Sequence, residues 1–375
     1  MRKKILGIVS TSYHLMVLLF LKDAFWADAD VDLVLTDKSP FFYDLYQSGR
    51  PGKYFRRVFF ANAKKIKNPY KSAPVVLWES FVHNPTTKAM LADIPSEGCF
   101  SYADFDNYDD IFFASPGMPD EIVKEISRTA IKRNRDVNFH RFEDGFASYT
   151  KPPVPAVSSP LGRKLYRLFF GYDIKEHEKE LYLFEPALAE KNVADTTATG
   201  FSLIQIPKTK ERIRLVTEQI QDILQFESRS FAENYMFLGQ GTANCTQNPL
   251  TYRGLILDIA EHVGFENFVV KPHPRGDHDR FEDHIHIYTD SCPFELAVAE
   301  GTMEDKTLIS YYSTACVSGK LLFDSDCRII FLYPMAEDSF NEKCDYEDYF
   351  RKLCELYDNI YIAHTKEELW SLLDQ

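Results

Sequence analysis

The sequence is short of positive charge. Asp and Glu outnumber Lys and Arg by 56 to 43, for a formal net charge of −13. That excludes a general nucleic-acid surface and leaves any anionic substrate to a local basic pocket. Paired cysteines are also missing. Seven cysteines stand scattered at Cys99, Cys245, Cys292, Cys316, Cys327, Cys344 and Cys354, with no Cys-x-x-Cys pair. An odd number so spaced argues against a disulfide frame or a zinc site, and for free thiols in a reducing, cytoplasmic compartment. On that reading the sequon Asn244-Cys245-Thr246 is a coincidence. No apolar run reaches the roughly 18 residues of a membrane span. Met1–Lys4 and Ile5–Val9 begin like a signal peptide, but Ser10–His14 interrupts the run and no small-residue cleavage site stands out. There is no internal repeat and no low-complexity tract.

What the chain has is core material. Over 375 residues, 45% are hydrophobic and 14% aromatic, enough for two α/β domains with buried cores. Strand and helix patterns alternate. Strands are expected at Ile5–Val9, Val31–Leu35, Val58–Phe60, Asp110–Ala114 and Val137–Phe142. Helices are expected at His14–Phe25, Phe41–Ser48 and Pro119–Asn134, the last with Ile122, Val123, Ile126, Ala130 and Ile131 on one face. Residues 151–200 break the pattern. Lys151-Pro152-Pro153-Val154-Pro155 is stiff and extended, and Asp195–Gly200 is small and polar, so the connection between two halves is placed here. Within it, Leu161–Tyr172 mixes Arg163, Lys164 and Arg167 with aromatics. It reads either as a helix packed on its own protein or as one touching an anionic membrane.

Alternation resumes with helices at Lys210–Phe226, Leu250–His262, Phe294–Glu300, Cys316–Phe323, Tyr349–Leu356 and Glu367–Leu373. Strands are expected at Tyr235–Gly239, Phe268–Lys271, Leu308–Ser310 and Arg328–Leu332. The spacing predicts two doubly wound parallel sheets, residues 1–200 and 201–375, with ligands at the carboxyl ends of the strands.

Two motifs fall at such strand ends. Phe142-Glu143-Asp144-Gly145-Phe146 delivers a carboxylate, Asp144, with Gly145 permitting a sharp turn beside it. If the backbone is extended, Glu143 points the other way. An attacking sugar hydroxyl needs a base to accept its proton, and Asp144 is the candidate. A solvated acidic turn is the plainer alternative. Val269-Val270-Lys271-Pro272-His273-Pro274-Arg275 delivers a histidine between two prolines and two cations, suited to stabilising charge on a departing phosphate. Its plainer alternative is a surface imidazole in a turn. His278, His284 and His286 nearby lack ordered metal-ligand spacing, so no metal site is expected. Glu295 in Pro293-Phe294-Glu295 could accept from ribose hydroxyls, or merely sit in a first helical turn. Ser313-Thr314 before a helix could hold phosphate, or cap the helix. Gly239-Gln240-Gly241 would allow close approach of a nucleotide, but lacks the third glycine of a dinucleotide site, so NAD is not expected.

Taken in order, Glu143-Asp144-Gly145, His273-Pro274, Glu295 and Ser313-Thr314 resemble the bacterial lipooligosaccharide sialyltransferases (glycosyltransferase family 52) and the related capsule polysialyltransferases. Val9-Ser10-Thr11-Ser12-Tyr13-His14-Leu15 is similar to that family's first strand–turn–helix. The resemblance implies a GT-B fold of two Rossmann-like domains facing a central cleft. It implies inverting, metal-independent transfer of sialic acid from CMP-sialic acid to a galactoside of lipopolysaccharide or capsule, with no cofactor. Asp144 would be the base, His273 would assist CMP departure, Glu295 would hold ribose, and Ser313 and Thr314 the phosphate. Glu143, Gly145, Gly239, Gln240, Lys271, Pro274 and Arg275 would complete the substrate contacts. Many relatives carry two serines where this chain has Ser313-Thr314. The partners expected are the CMP-sialic acid donor and a glycan acceptor, and no nucleic acid. Peripheral contact with the inner face of the cytoplasmic membrane and a homodimer stand as open options. CDP-glycerol or other capsule and teichoic-acid transferases, and UDP-N-acetylglucosamine 2-epimerases, share parts of this arrangement. A non-catalytic carbohydrate-binding role leaves the base and anion motifs unexplained.

Overall fold

The structure is a computed structural model that describes residues 2–61, 106–115, 123, 126–127, 130–131, 133–151, 164, 177–195, 201–226, 232–239, 249–273, 285–288, 293–336 and 347–375. The chain divides into two compact units, Met1–Gln225 and Phe226–Gln375.

The first unit is built on seven parallel strands: β1 (Lys4–Val9), β2 (Asp30–Thr36), β3 (Arg57–Ala61), β4 (Asp110–Ser115), β5 (Asn138–Glu143), β6 (Glu178–Leu183) and β7 (Ser202–Gln205). Their order across the sheet is β3-β2-β1-β4-β5-β6-β7. The near-continuous apolar runs of β1 and β2 are those of strands covered on both faces. Helix α1 (Ser12–Phe25) starts where Thr11 caps the N–H of His14, and every residue from His14 to Leu21 is buried. Gly7 makes its close packing feasible: a Cβ there would lie 2.4 Å from Leu18 Cδ2. The next helix, α2 (Phe42–Ser48), flanks β2 and β3. Helix α3 (Lys210–Leu224) covers the outer side of α1, held by Arg212 Nε donating to Asp23 at 2.6 Å and by Lys53 and Tyr54 donating to Asp222 at 2.8 and 2.7 Å. The described residues of the helix expected over Pro119–Asn134, Val123 to Arg133, are helical, with Val123, Ile126, Ala130 and Ile131 buried.

Residues 151–200 are not simply a connection between halves. They contain β6, and β7 follows, so the first sheet continues past the expected boundary and its unit runs to Gln225. Sequence pattern missed β6 because Glu178-Lys179-Glu180 reads as solvated. In the fold Glu178 is buried and accepts from Arg141 Nη2 of β5 at 2.7 Å, an ion pair with both side chains at most 2% exposed. The helix expected at Leu161–Tyr172 lies outside the described residues, except for Lys164.

The second unit repeats the plan. Strands β8 (Tyr235–Leu238), β9 (Phe268–Lys271), β10 (His286–Ile287), β11 (Thr307–Ser310), β12 (Arg328–Phe331) and β13 (Ile360–Ile362) are parallel in the order β10-β9-β8-β11-β12-β13. Helices α4 (Pro249–Val263), α5 (Phe294–Ala299), α6 (Thr314–Phe323), α7 (Glu347–Leu356) and α8 (Lys366–Leu373) accompany them. β10 and β13, at two and three residues, are too short to carry a pattern. Cys316, Cys327 and Cys354 are free thiols. Among the described residues no helix is long and apolar enough to cross a membrane.

Candidate active site

In both sheets strand order reverses beside the first strand of the unit, between β1 and β4 and between β8 and β11. Ligands of open α/β sheets bind outside the carboxyl ends of strands at such a switch point. The expected site residues that are described lie at these two edges.

In the first unit the edge is formed by the start of α1 and the end of β5. Glu143 ends the strand and is fully buried. Its carboxylate accepts from Tyr13 Oη at 2.5 Å, from Tyr149 Oη, and from the backbone N–H of Phe184 at 3.0 Å. Burial pushes this carboxyl up from 4.5 to about 7, against the opposing pull of those donors and of Lys208. Glu143 is thus an internal brace and not part of the surface a substrate meets. Asp144, the next residue, emerges with its side chain 38% exposed. Its backbone N–H donates to Ser148 Oγ at 2.7 Å, and Gly145 takes φ +73°, which starts the short helical turn Ala147–Thr150.

Asp144 is joined by a residue given no role from the sequence. His14 Nε2 lies 2.5 Å from Asp144 Oδ1, with the imidazole side chain 8% exposed. Its other nitrogen, Nδ1, lies 3.2 Å from the backbone N–H of Ser10. The ring sits edge-on to Phe142 at 5.9 Å. The available signal was positional: a polar run, Ser10–His14, directly follows the first strand at the place where doubly wound folds bind ligands.

In the second unit three strand ends converge. Gly239, after β8, donates its N–H to Lys271 O at 2.9 Å. A Cβ at Gly239 would come within 3.1 Å of the His273 backbone nitrogen and 3.3 Å of Lys271 O, so glycine is what lets the two strand ends approach. Lys271 lies over the Tyr288 ring at 4.6 Å, and Lys271 and His273 are half-buried. Glu295, in the first turn of α5, lies near Ser318 Oγ of α6 at 3.4 Å. Burial raises its carboxyl, while the nearby Lys271 charge opposes the rise. Ser313 is the N-cap of α6, but its hydroxyl makes no capping bond; its N–H donates to Ser310 Oγ, which in turn donates to Leu238 O of β8. Thr314 is the first helical residue. Lys271, His273, Glu295, Ser313 and Thr314 therefore line the switch-point edge of the second sheet, with Gly239 buried among them. Gln240, Pro274 and Arg275 lie outside the described residues. Of the three other histidines in this region, His286 is bonded to Glu233, and His278 and His284 lie outside the described residues. No metal-binding group of His, Cys, Asp and Glu occurs among the described residues.

By sequence, the chain matches no protein-family model and no curated protein. By structure it is similar to the α/β-galactoside α-2,3-sialyltransferase of the luminous marine bacterium Photobacterium phosphoreum: TM-score 0.52, 12% identity, 96% of this chain and 99% of that one. It is also similar to the kitacinnamycin glycotransferase, with TM-score 0.50, 10% identity, and 100% and 90% coverage. The UDP-N-acetylglucosamine 2-epimerase of Rickettsia bellii gives TM-score 0.51, 14% identity, and 100% and 87% coverage. At such identities the likeness is one of fold: two Rossmann-like parallel sheets of the GT-B class.

Proposed function

We propose that the chain is an inverting, metal-independent glycosyltransferase that moves sialic acid from CMP-sialic acid to a galactoside hydroxyl of a bacterial surface glycan. The observation that carries this reading is the division at the end of β5. Glu143 is sequestered, while Asp144 stands half-exposed, clamped through one oxygen and available to take a proton from an acceptor hydroxyl. The second sheet carries groups suited to the donor. Lys271 and His273 bring cationic and donor groups to charge developing on the departing phosphate. The Ser313 hydroxyl, which makes no capping bond at the N-terminus of α6, suits the same phosphate. Glu295 accepts from the ribose. The order of these motifs along the chain and a sialyltransferase among proteins of like fold support the sialic acid donor.

The test is incubation with CMP-sialic acid, with and without a galactoside and with and without excess EDTA, following free CMP and sialylated product separately. Acceptor-dependent product that persists in EDTA is expected, together with heat stabilisation by CMP that UDP and NAD match far less well. An epimerase of like fold keeps a second reading in view. Conversion of UDP-N-acetylglucosamine without any acceptor, and none of CMP-sialic acid, would replace the transferase reading with that one.

A further inference from the structure

The base in this site has a partner, and the hydrogen bonds decide which of the two faces the acceptor. A backbone N–H can only donate, so Ser10 N–H makes His14 Nδ1 an acceptor. The ring proton is then on Nε2, and it is donated to Asp144 Oδ1 at 2.5 Å. Both imidazole nitrogens are occupied within the fold, and the ring is walled by Phe142. Asp144 is the outward member: its own backbone N–H is taken by Ser148 Oγ, and among the described residues no donor bonds to its Oδ2.

We propose that His14 is a positioning residue and not the base: by holding Oδ1 it orients the Asp144 carboxylate and presents Oδ2 to the acceptor hydroxyl. The proposal rests on the transferase reading for what the acceptor is, but not for the geometry. In the step, the acceptor O–H gives its proton to Asp144 Oδ2 while its oxygen forms the new bond to the anomeric carbon. The bond from that carbon to the phosphate oxygen breaks, its electron pair leaving with the nucleotide. The proton on His14 Nε2 stays where it was throughout. Asp144 later returns its proton to solvent, which its exposure permits. Among the described residues, the other ionisable groups at this strand end are Glu143, Tyr13 and Tyr149, interlinked beneath it, with Lys208 acting on Glu143 and paired to Glu185 at 3.7 Å.

Two variants and one spectrum test this. His14→Gln places an amide N–H near the position of Nε2, whereas His14→Phe fills the ring volume and offers no donor. With CMP-sialic acid and a galactoside, His14→Phe is expected to lose about 10–100-fold in kcat with little change in the donor KM, the loss characteristic of an orienting partner. His14→Gln should recover most of the turnover. Equal turnover in His14→Phe and wild type would overturn the proposal. So would a fall in both variants as deep as that of Asp144→Asn, because His14 would then be moving the proton itself. The spectrum needs no reaction. In histidine-labelled wild-type protein, 15N NMR should show the Nε2-protonated tautomer of His14 with a slowly exchanging Hε2. This signal should be absent in His14→Gln and shifted in Asp144→Ala. An Nδ1-protonated ring, or an Hε2 indifferent to Asp144→Ala, refutes the arrangement even if the protein transfers sialic acid. Conversely, the expected spectrum in a protein without transferase activity would sink the functional reading and leave the pair standing.

Discussion

Glu143→Gln removes a buried carboxyl that the fold pushes well above the ordinary carboxylate range. Burial raises this carboxyl from 4.5 to about 7. A folded-state value above the unfolded one means that the native state binds the proton more tightly. The stability so conferred is fully present below about 4.5 and is lost as pH rises through about 7. A difference of that size corresponds to about 3 kcal/mol. Two other carboxyls at the opposite end of the same sheet work in the reverse sense and in a lower window. Burial alone would raise Asp106, but Lys4 and Arg56 outweigh it and hold it at about 2; Asp110 is also lowered, by His140 and Lys3 against its burial. Their contribution is lost only as pH falls below about 4. Glutamine keeps the shape of Glu143 and has no proton to exchange. Stability of wild type relative to Glu143→Gln should therefore drop by about 3 kcal/mol between about pH 5 and about pH 8. The assay is urea unfolding in a Trp78→Phe/Trp370→Phe background, where the remaining Trp26, buried against Phe112, reports on the first unit. If the two stability–pH curves run parallel across that range, Glu143 does not titrate there and its burial has been misread.

At the proposed catalytic positions, Asp144→Asn should lower turnover by about 10²–10⁴-fold while leaving CMP affinity nearly intact. His273→Ala should weaken turnover and CMP binding together, so rate constants and dissociation constants measured side by side separate the two roles; near-normal turnover in Asp144→Asn would remove Asp144 as base. In the first core, Glu178→Ala leaves the fully buried Arg141 without its carboxylate partner and should cost about 3–5 kcal/mol in urea unfolding. Pairing it with Arg141→Met should recover much of that loss, and failure of the double variant to recover would show that the ion pair is not what couples β5 to β6.

Which parts of this were legible in the sequence follows from how far each signal reaches. β1, α1, β5 and β9 announce themselves because their apolar runs are local, and the strand ends carrying Asp144 and His273 came with them. β6 did not, because the group that neutralises Glu178 is Arg141, on a different strand, and a charged strand looks solvated until its partner is found. Leu203-Ile204 in β7 is a partly exposed strand at the end of the sheet, with exposed Ser202 and Gln205 around it, and so lacks a core pattern. His14 was equally hidden. Its bond to Asp144 spans 130 residues, and no spacing rule links the first turn of one helix to the end of a distant strand. Gly239 was noted for nucleotide approach; the contact its missing side chain permits is first of all with the backbone of β9 and His273.

The roles of the adjacent acids follow from strand parity. Successive side chains of an extended strand leave on opposite faces. Arg141 and Glu143 share one face, and both are buried, one against Glu178 of β6 and the other against Tyr149 and the chain just beyond β6. Phe142 and Asp144 share the other face, and both meet His14. The pairing of β5 with β6 shifts register between Phe139 and His140, upstream of all four residues, and runs regularly from His140 to Phe142. The extra residue, Lys179, lies on β6, whereas β5 pairs with β4 without interruption from Asn138 to Glu143, so the alternation of β5 runs unbroken to its end and decides which carboxylate is sealed inside. The start of α1 reads the result directly: Tyr13 bonds to Glu143 and His14 to Asp144, two consecutive residues on two consecutive residues. A slip of one residue at β5 would carry Asp144 into the Tyr149 pocket and turn Glu143 toward His14, a longer side chain on a different trajectory. The base is thus specified by core packing several residues away, through Arg141 and Glu178, as much as by the presence of an aspartate at the strand end.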